Sequence, residues 1–195
     1  MRIFIAVLVV ILNFQSWTKA DNISELQLEG MSVGDSLLKH IGKDLIEKKY
    51  KSSYPASDEF YLIEFESSEL NFLEEYSAVG IHLKKNDEKY KIYSMKGMND
   101  YDNRLNACLE KKKEIIQSIS NSFKNLKEET YERDFDQLYG NSKAYVSDFD
   151  ISGGYIRVWC TDWDKTNKES KNWIDTVNVD LSSDEFMTWL NNDAY

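Results

Sequence analysis

The chain predicts an α+β domain: a single, mainly antiparallel sheet of about five to seven strands, with one long amphipathic helix and shorter helices packed on it. Three observations lead there. Residues 78–83 and 90–95 alternate apolar and polar side chains around Lys84-Lys85-Asn86-Asp87-Glu88-Lys89, whose Asn-Asp centre is turn chemistry, so the two runs form a hairpin. Between Leu105 and Leu126, apolar residues recur at three- and four-residue steps, the period of a helix with one buried face. The second half then holds alternating runs joined by turns, which is the pattern of hairpins and not of strand-helix-strand crossovers.

Taken in order, residues 24–29 alternate, with Leu26 and Leu28 on one side, and predict a half-buried strand. Gly30 and Gly34 allow a sharp corner after it. Ser32 and Asp35 can cap the short helix that begins at about Ser36, has Leu37, Leu38 and Ile41 as its apolar face, and stops at Gly42. Residues 43–50 read as a second helical turn, and 52–58 as a loop around the only proline, Pro55. The apolar, aromatic run 60–65 predicts an inner strand, whereas 66–77 carries no decisive period. In the hairpin, His82 falls on the wet face. Asp102 or Asn103 is expected to cap the long helix, which places Cys108 on its buried side. Residues 127–141 are polar and read as a connection with one helical turn. Runs 144–151, 155–161 and 173–181 are strands, the first two joined at Ser152-Gly153-Gly154. Ser182-Ser183-Asp184-Glu185 spells a reciprocal cap, opening a last helix with Phe186, Trp189 and Leu190 on its apolar side.

Met1 and Arg2 followed by the apolar run 3–14, ending in Thr18-Lys19-Ala20, form a secretory signal peptide with cleavage expected after Ala20. Residues 21–195 remain as one domain, in the periplasm or secreted, and no later run is long enough to span a membrane as a helix. The formal net charge is −10, and loss of Arg2 and Lys19 with the leader makes the remainder more acidic. Such a chain, with its lysines scattered, is a poor binder of nucleic acid. Cys108 and Cys160 are the only cysteines, and an isolated pair in an exported chain forms a disulfide. No histidine or further cysteine lies at metal-ligand spacing from either, and no cofactor is expected.

Gly34-Asp35-Ser36-Leu37 and Gly97-Met98-Asn99-Asp100 resemble two blocks of the GDSL or SGNH esterases. The resemblance implies Ser36 as nucleophile and Asn99 as an oxyanion donor. It is partial, because the chemistry also needs a base, which that family supplies as a histidine three residues after an aspartate near the C-terminus. The corresponding place here reads Asp180-Leu181-Ser182-Ser183, and His40 lies only four residues after Ser36. The alternation before Gly97 also differs from the continuous apolar strands of a doubly wound sheet.

Asp148-Phe149-Asp150-Ile151-Ser152-Gly153 resembles the first half of a calcium loop, with Asp148, Asp150 and Ser152 at alternate positions and Asp162 and Asp164 nearby in sequence. Trp159 stands where that loop needs a glutamate, so a glycine hairpin turn with acids on its wet side is the simpler reading. Aromatic residues gather in the last third: Tyr155, Trp159, Trp163, Trp173 and Trp189. Alternation sets Tyr155, Arg157 and Trp159 opposite Ile156, Val158 and Cys160, and Trp, Tyr and Arg dominate binding hot spots.

The segment from Glu29 to Leu38 resembles the opening of small exported bacterial proteins of uncharacterised function, which implies export and no activity. The order of helix then meander, occurring twice, is also similar in layout to domains of the β-lactamase-inhibitor-protein type, which bind other proteins on a sheet face. The expected function is therefore binding of a protein or envelope ligand through Tyr155, Arg157 and Trp159. The alternatives are a serine esterase at Ser36 and Asn99, and a weak calcium site at Asp148, Asp150 and Ser152.

Overall fold

The computed structural model describes residues 21–102, 104–123 and 126–195; the expected leader and Asn103 lie outside them. Among the described residues the sheet has eight strands: β1 (Ser52–Ser53), β2 (Phe60–Glu66), β3 (Ala78–Lys84), β4 (Ile92–Asp100), β5 (Glu128–Asp134), β6 (Lys143–Ile151), β7 (Gly154–Asp162) and β8 (Thr176–Ser183). Their spatial order is β1-β2-β3-β4-β8-β7-β6-β5, with every pair antiparallel. Two four-stranded meanders thus join through their last strands. The helices are α1 (Lys43–Lys48), α2 (Leu105–Ser122), α3 (Lys165–Lys171) and α4 (Asp184–Asn192). The α+β class and the antiparallel sheet are as expected, and the strand number exceeds the expected five to seven.

The differences have local causes. Residues 24–29 form no strand: Ile23–Glu25 is a 3-10 turn capped by Asn22, and Leu28 bridges only to Met31 across the glycine corner. Glu29, at φ 52°, turns its carboxylate onto the amides of Glu74, Glu75 and Tyr76 at 3.0, 2.8 and 2.8 Å, so the alternation there serves anchoring and not pairing. The helix at Ser36 is a 3-10 turn, Leu37–Lys39, which the Ser36 side chain does not cap. The polar stretch read as a connection contains β5, an edge strand whose mostly exposed side chains lack the apolar alternation that marks a strand. Polar α3, which no apolar period announced, precedes the run expected as strand from 173, and β8 itself begins only at Thr176. Arg104, not Asp102, is the N-cap of α2 and forms no side-chain bond to it. Ser183, one residue later than the capping pattern suggested, accepts the Phe186 amide at 3.2 Å and caps α4.

One face of the sheet is apolar. Phe65, Ile81, Met95, Val179, Ile156 and their neighbours pack under the N-terminal segment (Leu28, Met31, Leu37, Ile46) and under Ile119 of α2, forming the main core. The opposite face carries α4, whose Phe186 and Trp189 pack with Phe60 and Tyr93. Beyond α4 that face is polar and partly open. Cys108 of α2 and Cys160 of β7 form a disulfide with Cα atoms 6.0 Å apart, buried with Val177. The link closes a separation of 52 residues. Replacing both cysteines by alanine should lower the unfolding free energy by about 4 kcal/mol in urea titrations; a loss under about 1 kcal/mol would show that helix packing holds α2 without it.

Candidate functional site

The strand period of two decides what the open face presents. Tyr155, Arg157 and Trp159 of β7 point to it, each half-buried, while Ile156, Val158 and Cys160 point into the core, as the alternation predicts. Register then assembles a transverse row across the sheet: Gly80 of β3 lies opposite Lys96 of β4, Lys96 opposite Asp180 of β8, Asp180 opposite Arg157, and Arg157 opposite Asp148 of β6. The adjoining row runs His82, Ser94, Ser182 and Tyr155. Where α4 crosses these rows, a cavity of about 230 Å³ forms. Its floor includes Lys96, Asp180 and His82, and its walls include Trp159, Met187 and Leu190.

Half of the charged row is satisfied internally. Arg157 donates from Nε to Asp148 Oδ1 at 2.8 Å and from Nη2 to Oδ2 at 2.9 Å, and Nη2 also reaches the Tyr155 and Tyr131 hydroxyls at 2.8 and 3.1 Å. The bond to Asp148 raises the Arg157 pKa further and keeps it a cation. Burial alone would raise the Asp148 carboxyl, but bonds from Arg157, Tyr155 and Tyr131 outweigh it and hold it below its ordinary value. Burial, and then Asp148, raises the Tyr155 hydroxyl. Arg157 is thus a fixed part of the wall, with most of its donors already used.

The other half is not. Asp180 Oδ1 is buried without a hydrogen-bond partner, and burial pushes this carboxyl up to about 6 despite the nearby charges of Lys96 and Arg157. Lys96 makes no ion pair among the described residues, because its chain leans the other way: its Cε lies 3.7 Å from where a Cβ on Gly80 would stand, over β3. His82 is 9% exposed, buried under α4 against Phe186 instead of wet as alternation alone implied. Its Nε2 shares a 2.8 Å hydrogen bond with the Tyr54 hydroxyl, and its Nδ1 has no partner. Burial, then Lys96, lowers its pKa to about 3, so the ring is neutral. Sequence reasoning overlooked Lys96, Asp180 and Tyr54. The available signal was Asp180 itself, an ionisable residue inside the apolar alternation of 177–181.

The other sequence candidates are dispersed. Ser36 Oγ donates to the Lys89 carbonyl at 2.6 Å, beside its bridge to Lys91. Asn99 is tied to Ser77 N and the Glu75 carbonyl at 2.8 and 2.6 Å. Eight residues of extended chain separate Lys91 from Asn99, about 25 Å, so the two are not brought together. His40 lies 3.7 Å from Asp35. Of the calcium candidates, Asp148 is held by Arg157, Asp150 is exposed, and the Ser152 carbonyl accepts the Ile23 amide at 3.0 Å. Asp162 pairs with Lys168 and Asp164 caps α3, both at the far end of β7 from that turn. Among the described residues no group of three or more His, Cys, Asp or Glu side chains could hold a metal. Trp163 and Trp173 pack with Tyr139 and Phe135 in a separate aromatic cluster, and Trp189 packs inside the α4 core.

Comparison with protein-family models, curated proteins and solved structures finds no match for this chain. The chemistry of the groove is therefore what a functional assignment must rest on.

Because Asp180 binds its proton more tightly folded than unfolded, its own contribution to stability falls as pH rises from about 4 through about 6 and is then level. Asp180→Asn should remove that fall. Urea unfolding should find the variant more stable by up to about 3 kcal/mol at pH 7.5 and unchanged at pH 4; a variant less stable at pH 7.5 would mean that the carboxylate is internally compensated.

Proposed function

We propose that this is a non-enzymatic, disulfide-stabilised exported domain that binds a protein or envelope ligand on the open face of its sheet, in the groove beside α4. One observation carries the reading: two residues that line the same cavity, Asp180 and His82, each hold a buried polar atom without a partner (Oδ1 and Nδ1), next to half-buried Tyr155 and Trp159. Buried polar groups are nearly always hydrogen-bonded. Two unmet groups beside aromatic walls are what a site looks like before its ligand completes it.

Of the expected stripe, Trp159 and Tyr155 supply contact area, and Arg157 holds Tyr155 in place. The Cys108–Cys160 disulfide suits an oxidising compartment, and no helix among the described residues is long and apolar enough to cross a membrane. Periplasmic or secreted residence, with cleavage after Ala20, accords with both. The esterase alternative at Ser36 and Asn99 gains no support from their separation, nor the calcium alternative from the Asp148–Arg157 pair.

Immobilised oxidised protein should retain a defined set of envelope components that Trp159→Ala, with unchanged circular dichroism, retains at least tenfold less. An unchanged set on the folded variant would remove the groove from the binding surface.

A further inference from the structure

Resting on that reading of the groove, we infer that its floor binds a small zwitterion of the α-amino-acid type with an apolar side chain, the ammonium on Asp180 and the carboxylate on Lys96. The geometry points to it in three steps. Lys96 and Asp180 are direct neighbours across β4 and β8, yet neither makes an ion pair with any described residue. Opposite charges that close on a sheet surface ordinarily meet. Here Lys96 lies over Gly80 on the side away from Asp180, where the missing side chain of the glycine leaves it room. Both residues line the one cavity, a cation and an anion that do not meet each other. A ligand of one sign would meet one of the two as a like charge, whereas a zwitterion completes both.

The surroundings restrict the ligand further. Arg157 is bonded twice to the Asp148 carboxylate and makes no ion pair with Asp180. His82, a neutral ring whose Nδ1 has no partner, lines the same cavity and adds polarity there without charge. The remaining lining is apolar or aromatic: Leu62, Trp159, Phe186, Met187 and Leu190. At about 230 Å³ the cavity suits a molecule of amino-acid size and not a larger cofactor. Beside such walls the local dielectric is lower than in water, which strengthens both charged contacts.

Isothermal titration of the purified oxidised protein with L-leucine and L-phenylalanine, beside N-acetyl-L-leucine and L-leucine amide, tests this. Saturable binding of the free amino acids is expected, at least about tenfold weaker for either blocked derivative. Asp180→Asn and Lys96→Met, each checked by circular dichroism, should each weaken it by a similar factor. Equal binding of the blocked forms, binding unaffected by Asp180→Asn, or no saturable binding at all would each overturn the inference. If envelope components still depend on Trp159 in that case, the wider binding reading stands and only the ligand class falls.

Discussion

The pairing of β4 with β8 is the constraint on which the rest depends. Each four-stranded meander ends in one of these strands, and their seven-residue register makes two half-sheets into one. The joint is sealed from both sides. Met95, Val179 and Leu181 belong to the main core, and on the other face the Ser182 hydroxyl donates to Ser94 at 2.8 Å in a buried contact. The same register sets Lys96 against Asp180. The position that holds the fold together thereby also creates the groove floor.

The two halves of the charged row show how context decides what a buried charge does. Arg157 and Asp148 face each other with matched forks and two tyrosine hydroxyls, so their desolvation is offset by good geometry. Asp180 has a buried carboxylate oxygen without such partners, and desolvation wins over the attraction of two nearby cations. A carboxylate in that condition destabilises the fold. Cost of this kind tends to collect at functional sites, where a ligand removes it.

Much of the scaffold was legible in the sequence. The helical period between Leu105 and Leu126 located α2, the Asn-Asp turn located the β3–β4 hairpin, and the isolated cysteines located the disulfide. Alternation set Tyr155, Arg157 and Trp159 on the correct face. It failed where no buried face imposed a period: β5 is polar on both sides, β1 has two residues, and α3 is polar throughout. The site was less legible, for a physical reason. Alternation assigns a residue to a face but not to a neighbour, and Lys96 meets Asp180 only through strand pairing distant in sequence. Nor does it reveal what covers a face, which is why His82, on the expected side of β3, is buried under α4.

Most of this turns on Asp180, a carboxyl with a buried oxygen and no internal partner. A carbon-13 NMR titration of the Asp180 carboxyl in the oxidised, ligand-free protein tests it most directly. The structure predicts a midpoint near pH 6. A midpoint near the ordinary aspartate value of about 4 would show that the carboxylate is solvated or paired, and would contradict a groove left incomplete by its own residues.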